Sequence, residues 1–535
     1  MPEASAALGL VPPATRPPIP GGGAQSVAAI LDPMLAAHPG REALVGRSGR
    51  FTFAELDRAA NRAAQALAAL GVGPGERVAA CLPNDDDLPI AFLATQRLGA
   101  IWVGVNRVLA APEKAYLLRD SGARVLLAEP AALAEIEPRR DELPELLHAI
   151  AVAPGASEDR WRAHCASAHD ARPSLEVDPF APAAIAYTSG TTGHPKGAVH
   201  SQHNLLLPGA VARAQGRVPP GTRQGAVLPL TILNLVILEV LAAWLDGRTV
   251  VAIDRTDALG LAAWIRDERV GAFAAVPTIY HDLLTHPGVA AEDLASLVAP
   301  GVGGSDVPPA LVRLYRERFG RGVGIGYGMT EAPTAVTWSD GSVPAAPGLC
   351  GRPLPQVEIE VVGDDGAVLP AGAVGEITVR AARSGPFAGA YTPMLGYWRR
   401  PEATRAALRD GRYHTGDLGC FGEDGNLFIR GRRNDLILRG GANVYPAEVE
   451  RVLGEHPAIA CAAVLGVPDE RLGERVVAAI QLRDAGAAPS EAELRDFCRD
   501  RLARYKVPDR IATVASFPRN AMGKIQKREL RALFA

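Results

Sequence analysis

The run Thr188-Ser189-Gly190-Thr191-Thr192-Gly193 leads through His194 and Pro195 into Lys196-Gly197. Glycines expose backbone N–H groups, hydroxyls add short donors and a lysine adds charge, so this is the composition of a loop that wraps phosphate. The spacing differs from an ordinary P-loop, which needs GxxxxGK followed by Ser or Thr: here Pro195 precedes the lysine and Gly197 follows it. The chain also has no GxSxG nucleophile elbow. A second chemistry-bearing pair, Thr330-Glu331, follows another glycine-containing run, GYGM (326–329).

These residues must be positioned by strands and helices, and the pattern of both is legible. Thr52 to Glu55 is a capping box, followed by Leu56, Ala60, Ala63, Leu67 and Leu70 at helical spacing, with Gly71 as the stop. Short apolar runs bounded by turn residues predict buried strands at 77–83, 123–129, 249–254 and 271–277. Strands alternating with helices predict α/β layers with a largely parallel sheet. The runs at 184–190, 297–305 and 323–331 each read as a strand opening into a Gly-rich loop, and ligands in such folds sit beyond the carboxyl ends of strands. After about residue 435 the texture becomes that of a compact α+β domain, with a Ser490…Glu493 capping box.

Composition excludes several classes. A chain of 535 residues with 48% hydrophobic content can bury a large core and divide into domains. Net charge is −3, from 56 basic and 59 acidic residues, so no global field exists to hold nucleic acid or an anionic membrane. The apolar stretch 226–245 is long enough to span a bilayer but contains Pro229, Asn234 and Glu239, which predicts a buried turn and helix instead. Six dispersed cysteines without a CxxC pair suit reduced thiols and a cytoplasmic location. The first 25 residues, rich in Pro and Gly, are expected to form a flexible tail and not a signal peptide.

Five segments occur in one order: YTSGTTGHPKGAVHS (187–201), GYGMTE (326–331), YHTGDLG (413–419), GRRNDLILRGGANVYPAEVE (431–450) and PRNAMGKIQKREL (518–530). In these motifs the chain resembles the adenylate-forming superfamily, which includes AMP-forming acyl-CoA synthetases, peptide-synthetase adenylation domains and firefly-type luciferases. The resemblance covers nearly everything past residue 25. It implies a large multi-sheet α/β domain (26–432) binding ATP and acyl group, and a small mobile α+β lid (433–535). The implied reaction has two steps: carboxylate and MgATP give acyl-adenylate and pyrophosphate, and a thiol, usually that of coenzyme A, then takes the acyl group and releases AMP.

The resemblance also assigns roles. Residues 188–196 would wrap the departing pyrophosphate, with Thr188, Ser189, Gly190, Thr191, Thr192, Gly193 and Lys196 as ligands. Glu331, together with Thr192, would hold Mg²⁺, and Thr330 would lie near the α-phosphate. Asp417 would accept hydrogen bonds from the ribose hydroxyls, an ionised acceptor's task, with Arg432 assisting. Gly303, Gly304, Ser305, Tyr327 and Gly328 would take the adenine, the tyrosine by stacking. Lys524 would be the catalytic lysine, reaching carboxylate and α-phosphate oxygens, while Lys527 and Arg528 would be solvated charge. Gly440 and Gly441 would shape the pantetheine channel, and Asn434 would be the hinge, where relatives carry Asp or Lys. Because acetylation would remove the charge that adenylation needs, Lys524 is also expected to be a regulatory target of a lysine acetyltransferase.

The acyl pocket is expected from Ile232, Asn234, Thr278, Ile279, Tyr280, Ala332 and Pro333, which are mostly apolar or small. Relatives place an aromatic and a histidine where Thr231 and Ile232 stand here. No Asp is available in this set for an amino acid's ammonium, so the substrate is expected to be a small or medium carboxylate: short branched, 2-hydroxy, alicyclic or aryl. A monomer or homodimer is expected. Two alternatives remain at this stage: transfer of the adenylate to a carrier-protein thiol, and a non-catalytic nucleotide-binding relative. The absence of a carrier domain after Ala535 is expected to favour the free CoA ligase.

Overall fold

The structure is a computed structural model and describes residues 8–156, 159–188, 195–302, 307, 309–320, 322–344, 346–439, 442–469, 472–484, 488–519 and 523–534. The chain divides into two compact units, Met1–Ile359 with Val379–His414, and Glu360–Thr378 with Thr415–Ala535. The division expected at 432/433 falls inside the second unit. Strand pairing sets Asp417 opposite Arg432, and Arg433 pairs with Asp364 and Glu376, so these segments stay together.

The first unit is the expected α/β architecture. One seven-stranded sheet runs Gly324–Ile325, Ala299–Val302, Val270–Ala275, Arg223–Ala226, Val250–Ala252, Glu42–Val45, Arg50–Thr52. Its strands are parallel except for the last. A second sheet orders Gly396–Tyr397, Lys196–Ser201, Pro182–Thr188, Ile101–Gly104, Arg77–Cys81, Val125–Ala128, His148–Ala151, with Lys196–Ser201 antiparallel to both of its neighbours. The helix Phe53–Ala69 begins at the Thr52/Glu55 capping box and buries Leu56, Ala60, Ala63 and Leu67. Two of the four unpaired N–H groups of its first turn are thereby satisfied locally.

Two expectations are corrected in this unit. The Pro/Gly-rich start, largely exposed, is anchored at points from residue 8 onward: Leu10 and Ile19 are buried, Val11 donates its N–H to Leu395 O at 2.6 Å, and Arg16 pairs with Asp178. Apolar side chains in that run find a core, and composition alone gave them no place. Tyr280, expected in the acyl pocket, is a core residue with no exposed surface. Its ring stacks on Phe273 at 5.0 Å and its hydroxyl donates to Phe273 O.

The apolar stretch at 226–245 folds as a turn, a short helix Leu233–Leu235, a π-helical segment Val236–Leu241 and a helix Ala242–Leu245. Among the described residues no helix is long and apolar enough to cross a membrane. Glu239, on the π segment, is 3% exposed. Its Oε1 accepts from the Ala274 N–H at 3.1 Å and its Oε2 from the Gln224 side-chain amide; Gln224 Oε1 in turn accepts from Arg248 Nη1 at 2.8 Å. Burial pushes this carboxyl up from 4.5 to about 8. The folded protein therefore keeps a proton that the unfolded chain releases. The stabilisation is full below pH 4.5 and is lost as pH rises towards 8, by on the order of 4 kcal/mol. Glu239→Gln is expected to flatten that decline in urea midpoints measured at pH 5, 6.5 and 8. Asp86, also pushed up to about 8 by burial, contributes equally to both proteins. An unchanged slope would refute the assignment.

The second unit contains a sheet ordered Ala442–Val444, Ile437–Arg439, Gly473–Leu482, Ile459–Asp469, with Arg510–Thr513 parallel to Gly473–Leu482. Helix Pro446–Gly454 and helix Glu491–Arg499 belong to it, the latter opened by the expected Ser490/Glu493 capping box. Val449, Val452, Leu453, Leu494 and Cys498 close its core against the sheet.

Candidate active site

The Thr-rich run is the connection of a β-hairpin. Pro182–Thr188 and Lys196–Ser201 pair antiparallel, with Thr188 directly opposite Lys196. Residues 189–194 fall outside the described residues, so the expected ligands Ser189, Gly190, Thr191, Thr192 and Gly193 are not located. The hairpin's base is fixed on one side by Tyr187, whose hydroxyl donates to Asp120 Oδ2 at 2.8 Å, and by Tyr116, which donates to Pro195 O at 3.0 Å. Arg400 pairs with the other oxygen of Asp120 at 2.6 Å.

The TE pair arrives at the same place from a different sheet. After Gly324–Ile325 the chain forms a tight hairpin, Gly328–Met329 against Thr334–Ala335. A Cβ on Gly328 would lie 1.8 Å from Thr334 O, so only glycine permits this pairing. Thr334 closes the turn at φ 67°, a left-handed conformation in which a β-branched residue is strained. Thr330 and Glu331 occupy the turn, both half-buried, and Ala332 and Pro333 are buried behind them.

Three contacts bring hairpin and turn together. Thr188 Oγ1 lies 3.5 Å from Glu331 Oε1, and the Tyr397 hydroxyl donates to the same oxygen at 2.9 Å. Lys196 Nζ stands 4.4 Å from the centre of the Tyr397 ring, within cation–π range. Burial, reinforced by the Glu331 charge, pushes the Tyr397 phenol well up, so it stays protonated and donates. Tyr397 reaches this point because Gly396–Tyr397 is added to the sheet beside Lys196–Ser201, while the Met394 N–H donates to Glu331 O at 2.9 Å.

His200 sits beneath the turn. Burial pushes its imidazole down to about 4, so it is neutral at ordinary pH, and Nε2 donates to Thr330 O at 2.7 Å. Asn204 lies 3.5 Å from the other ring nitrogen and donates to Pro393 O at 2.8 Å, joining the His200 strand and helix to the Tyr397 segment. Sequence reading passed over both His200 and Tyr397. His200 lies inside a quoted motif but carries no spacing signal, and Tyr397 is 66 residues from its partner Glu331.

The remaining expected residues fall as follows. Tyr327 is 8% exposed, its N–H bonded to Thr337 Oγ1; Gly303, Gly304 and Ser305 lie outside the described residues. Ile232 and Asn234 are half-buried around the turn after Pro229, Ile279 is half-buried and Thr278 exposed on helix Pro277–Thr285. In the second unit, Asp417 and Arg432 are cross-strand neighbours, with Arg432 Nε 3.3 Å from Asp417 Oδ1. Asn434 is in the short turn Arg433–Asp435, and Gly440 and Gly441 lie outside the described residues. Lys524 is exposed on a hairpin closed by Gln526 N–H to Pro518 O and Arg519 Nη1 to Gly523 O. Lys527 is not merely solvated: it pairs with Glu450 at 2.6 Å.

The profile of the AMP-binding enzyme family matches residues 32–398, and that of the AMP-binding enzyme C-terminal domain matches 448–524. Long-chain-fatty-acid–CoA ligase FadD13 of Mycobacterium tuberculosis is 34% identical over 498 residues, 91% of this chain and 93% of that protein. Fatty acid–[acyl-carrier-protein] ligase ScoC of Streptomyces coeruleorubidus is 35% identical over 506 residues, 93% of this chain and 94% of that one. The crystal structure of ATP-bound MatB from Rhodopseudomonas palustris superposes with a TM-score of 0.84 at 29% identity, covering 95% of this chain and 99% of that chain. With matching profiles over most of its length and a site that gathers hydroxyls, a lysine and a carboxylate at the end of a hairpin, the chain belongs to the AMP-binding enzyme family, in the adenylate-forming superfamily.

Proposed function

We propose that the protein is an AMP-forming carboxylate–CoA ligase acting on a small or medium carboxylic acid. A carboxylate oxygen attacks the α-phosphorus of ATP, the bond to the bridging oxygen breaks and pyrophosphate leaves. The thiol sulfur of coenzyme A then attacks the carbonyl carbon, its proton is lost and AMP departs. The observation that carries this reading is the convergence of Thr188, Lys196 and Tyr397 with Glu331 at the mouth of the hairpin. Both reactants of the first step are anions, so cations and donors aimed at them supply the rate. Lys196 and the hairpin connection hold the leaving pyrophosphate; Asp417 and Arg432 serve the ribose end; Lys524 neutralises charge between carboxylate and α-phosphate.

Glu331 suits Mg²⁺. This ion takes one or two protein carboxylates, keeps waters and shares substrate phosphates, and Glu331 is a half-buried carboxylate beside a threonine hydroxyl. Glu331, with Thr192, would hold the ion, which when bound neutralises phosphate charge. Tyr397 orients the carboxylate for that task. Tyr397→Phe is expected to lower kcat for adenylation roughly tenfold to a hundredfold, the worth of a hydrogen bond to a charged group. The KM for the acid should change little. Carboxylate-dependent pyrophosphate exchange measures both.

A second reading, acyl transfer to a carrier-protein thiol, is supported by the similarity to ScoC. A panel of carboxylates assayed for AMP release together with loss of free CoA separates the two. Adenylate formation without CoA consumption would overturn the CoA ligase reading.

A further inference from the structure

Arg217 lies in the connection between helix Gln202–Ala214 and strand Arg223–Ala226. It is half-buried, and its guanidinium lies over the indole of Trp338 at 4.9 Å from the ring centroid. Nε and Nη2 both donate to Gln215 Oε1, and Nη1 has no acceptor among the described residues. Among the described residues no Asp or Glu pairs with it, and burial alone pushes it down to about 10, so it remains a cation at neutral pH. The chain pairs Arg elsewhere in this unit: Arg97 has Asp57, Arg223 has Glu42 and Glu268, Arg400 has Asp120. Where burial lowers other arginines of this unit a carboxylate stands beside them, Asp57 for Arg97 and Asp246 for Arg248, whereas Arg217 has none among the described residues and can take an anion from outside.

The location says what brings that anion. Trp338 follows the return strand of the Thr330-Glu331 hairpin and lies against glycines at the carboxyl ends of two neighbouring parallel strands. A Cβ on Gly324 would be 2.3 Å from its Cζ2, one on Gly326 3.1 Å from its Cε3, and one on Gly301 3.7 Å from its Cη2. The indole thus occupies volume that side chains would fill in an ordinary strand end, at the edge of the sheet where ligands of such folds bind. A carboxylate there gains a flat, pre-oriented fork of N–H donors held by stacking, the arrangement that suits bidentate recognition.

We propose that Arg217, stacked on Trp338, is a specificity-determining residue that binds a second carboxylate at the far end of the acyl substrate, so that the preferred acids are dicarboxylates. The inference rests on the ligase reading above. A neutral carbonyl at the same point would gain hydrogen bonds but leave the cation without a counter-charge, which favours the carboxylate. A site built to hold a polar group discriminates strongly against the analogue lacking it, because its own donors are then left unpaired.

The test uses the full-length protein in carboxylate-dependent pyrophosphate exchange. The probes are linear diacids, the monoacids and the terminal methyl-ketone acids of equal chain length, and one aromatic pair, 4-carboxycinnamic and cinnamic acid. At one chain length or in the aromatic pair the diacid is expected to exceed its monoacid in kcat/KM by about tenfold or more. Arg217→Met is expected to reverse the order, through a rise in the diacid KM and a gain on the monoacid. That gain also reports that the variant is folded; Arg217→Lys, which keeps charge but loses the fork, should give an intermediate ratio. Equal ratios in wild type and Arg217→Met, or a preference for the ketone acid, would overturn the proposal while leaving the ligase reading intact. Absence of exchange with every acid would overturn the ligase reading itself.

Discussion

Lys524→Ala is expected to lower carboxylate-dependent pyrophosphate exchange by about a hundredfold to a thousandfold while conversion of supplied acyl-adenylate to thioester survives. A unit charge at about 4 Å in a partly screened site is worth roughly 4 kcal/mol, or about three powers of ten in rate. That charge matters when two anions are forced together and not when a thiol attacks a mixed anhydride. Lys524 is exposed, and its hairpin is closed by backbone and Arg519 contacts while Lys527 holds the following helix to Glu450. Equal losses in the two half-reactions would mean that Lys524 is structural. Full exchange activity would remove it from the mechanism.

Glu331→Gln should cost a similar factor for a different reason. The amide keeps the size of the side chain and can still accept from Tyr397 and Thr188, but it loses the charge that suits Mg²⁺. We expect exchange to fall about a hundredfold, with the Mg²⁺ concentration for half-maximal rate displaced upward. Less than a threefold loss with unchanged Mg²⁺ dependence would sink the assignment. Because Tyr397 acts through Glu331, Tyr397→Phe added to Glu331→Gln should cost little more than Glu331→Gln alone.

Local patterns carried much of the architecture. The Thr52/Glu55 and Ser490/Glu493 boxes start helices where they should, since capping is settled within four residues. The apolar runs at 77–83, 123–129 and 249–254 are strands, because a buried parallel strand needs little beyond a short apolar run with turn residues at its ends. The polar interruptions of 226–245 argued correctly against a spanning helix. They did not reveal that Glu239 would be buried as a hydrogen-bonded group on a π segment, since its partners Gln224 and Ala274 come from two other strands.

The sequence by itself determined the chemical inventory: a hydroxyl- and glycine-rich run before Lys196, a Thr330-Glu331 pair, Asp417 with Arg432, and Lys524, in the order of a known superfamily. Only the tertiary structure decided which groups meet. Glu331 finds Tyr397 because Gly396–Tyr397 pairs with the strand after the hairpin, in a register that places Tyr397 opposite Ala198. Arg217 stacks on Trp338 because two strand ends are glycine and admit an indole. Tyr280, which looked like pocket lining, went to the core because its hydroxyl could be satisfied by Phe273 O. Motif residues act through short-range chemistry and so survive as sequence signals. Their supports are set by sheet register and by packing across tens to hundreds of residues, which no local pattern encodes.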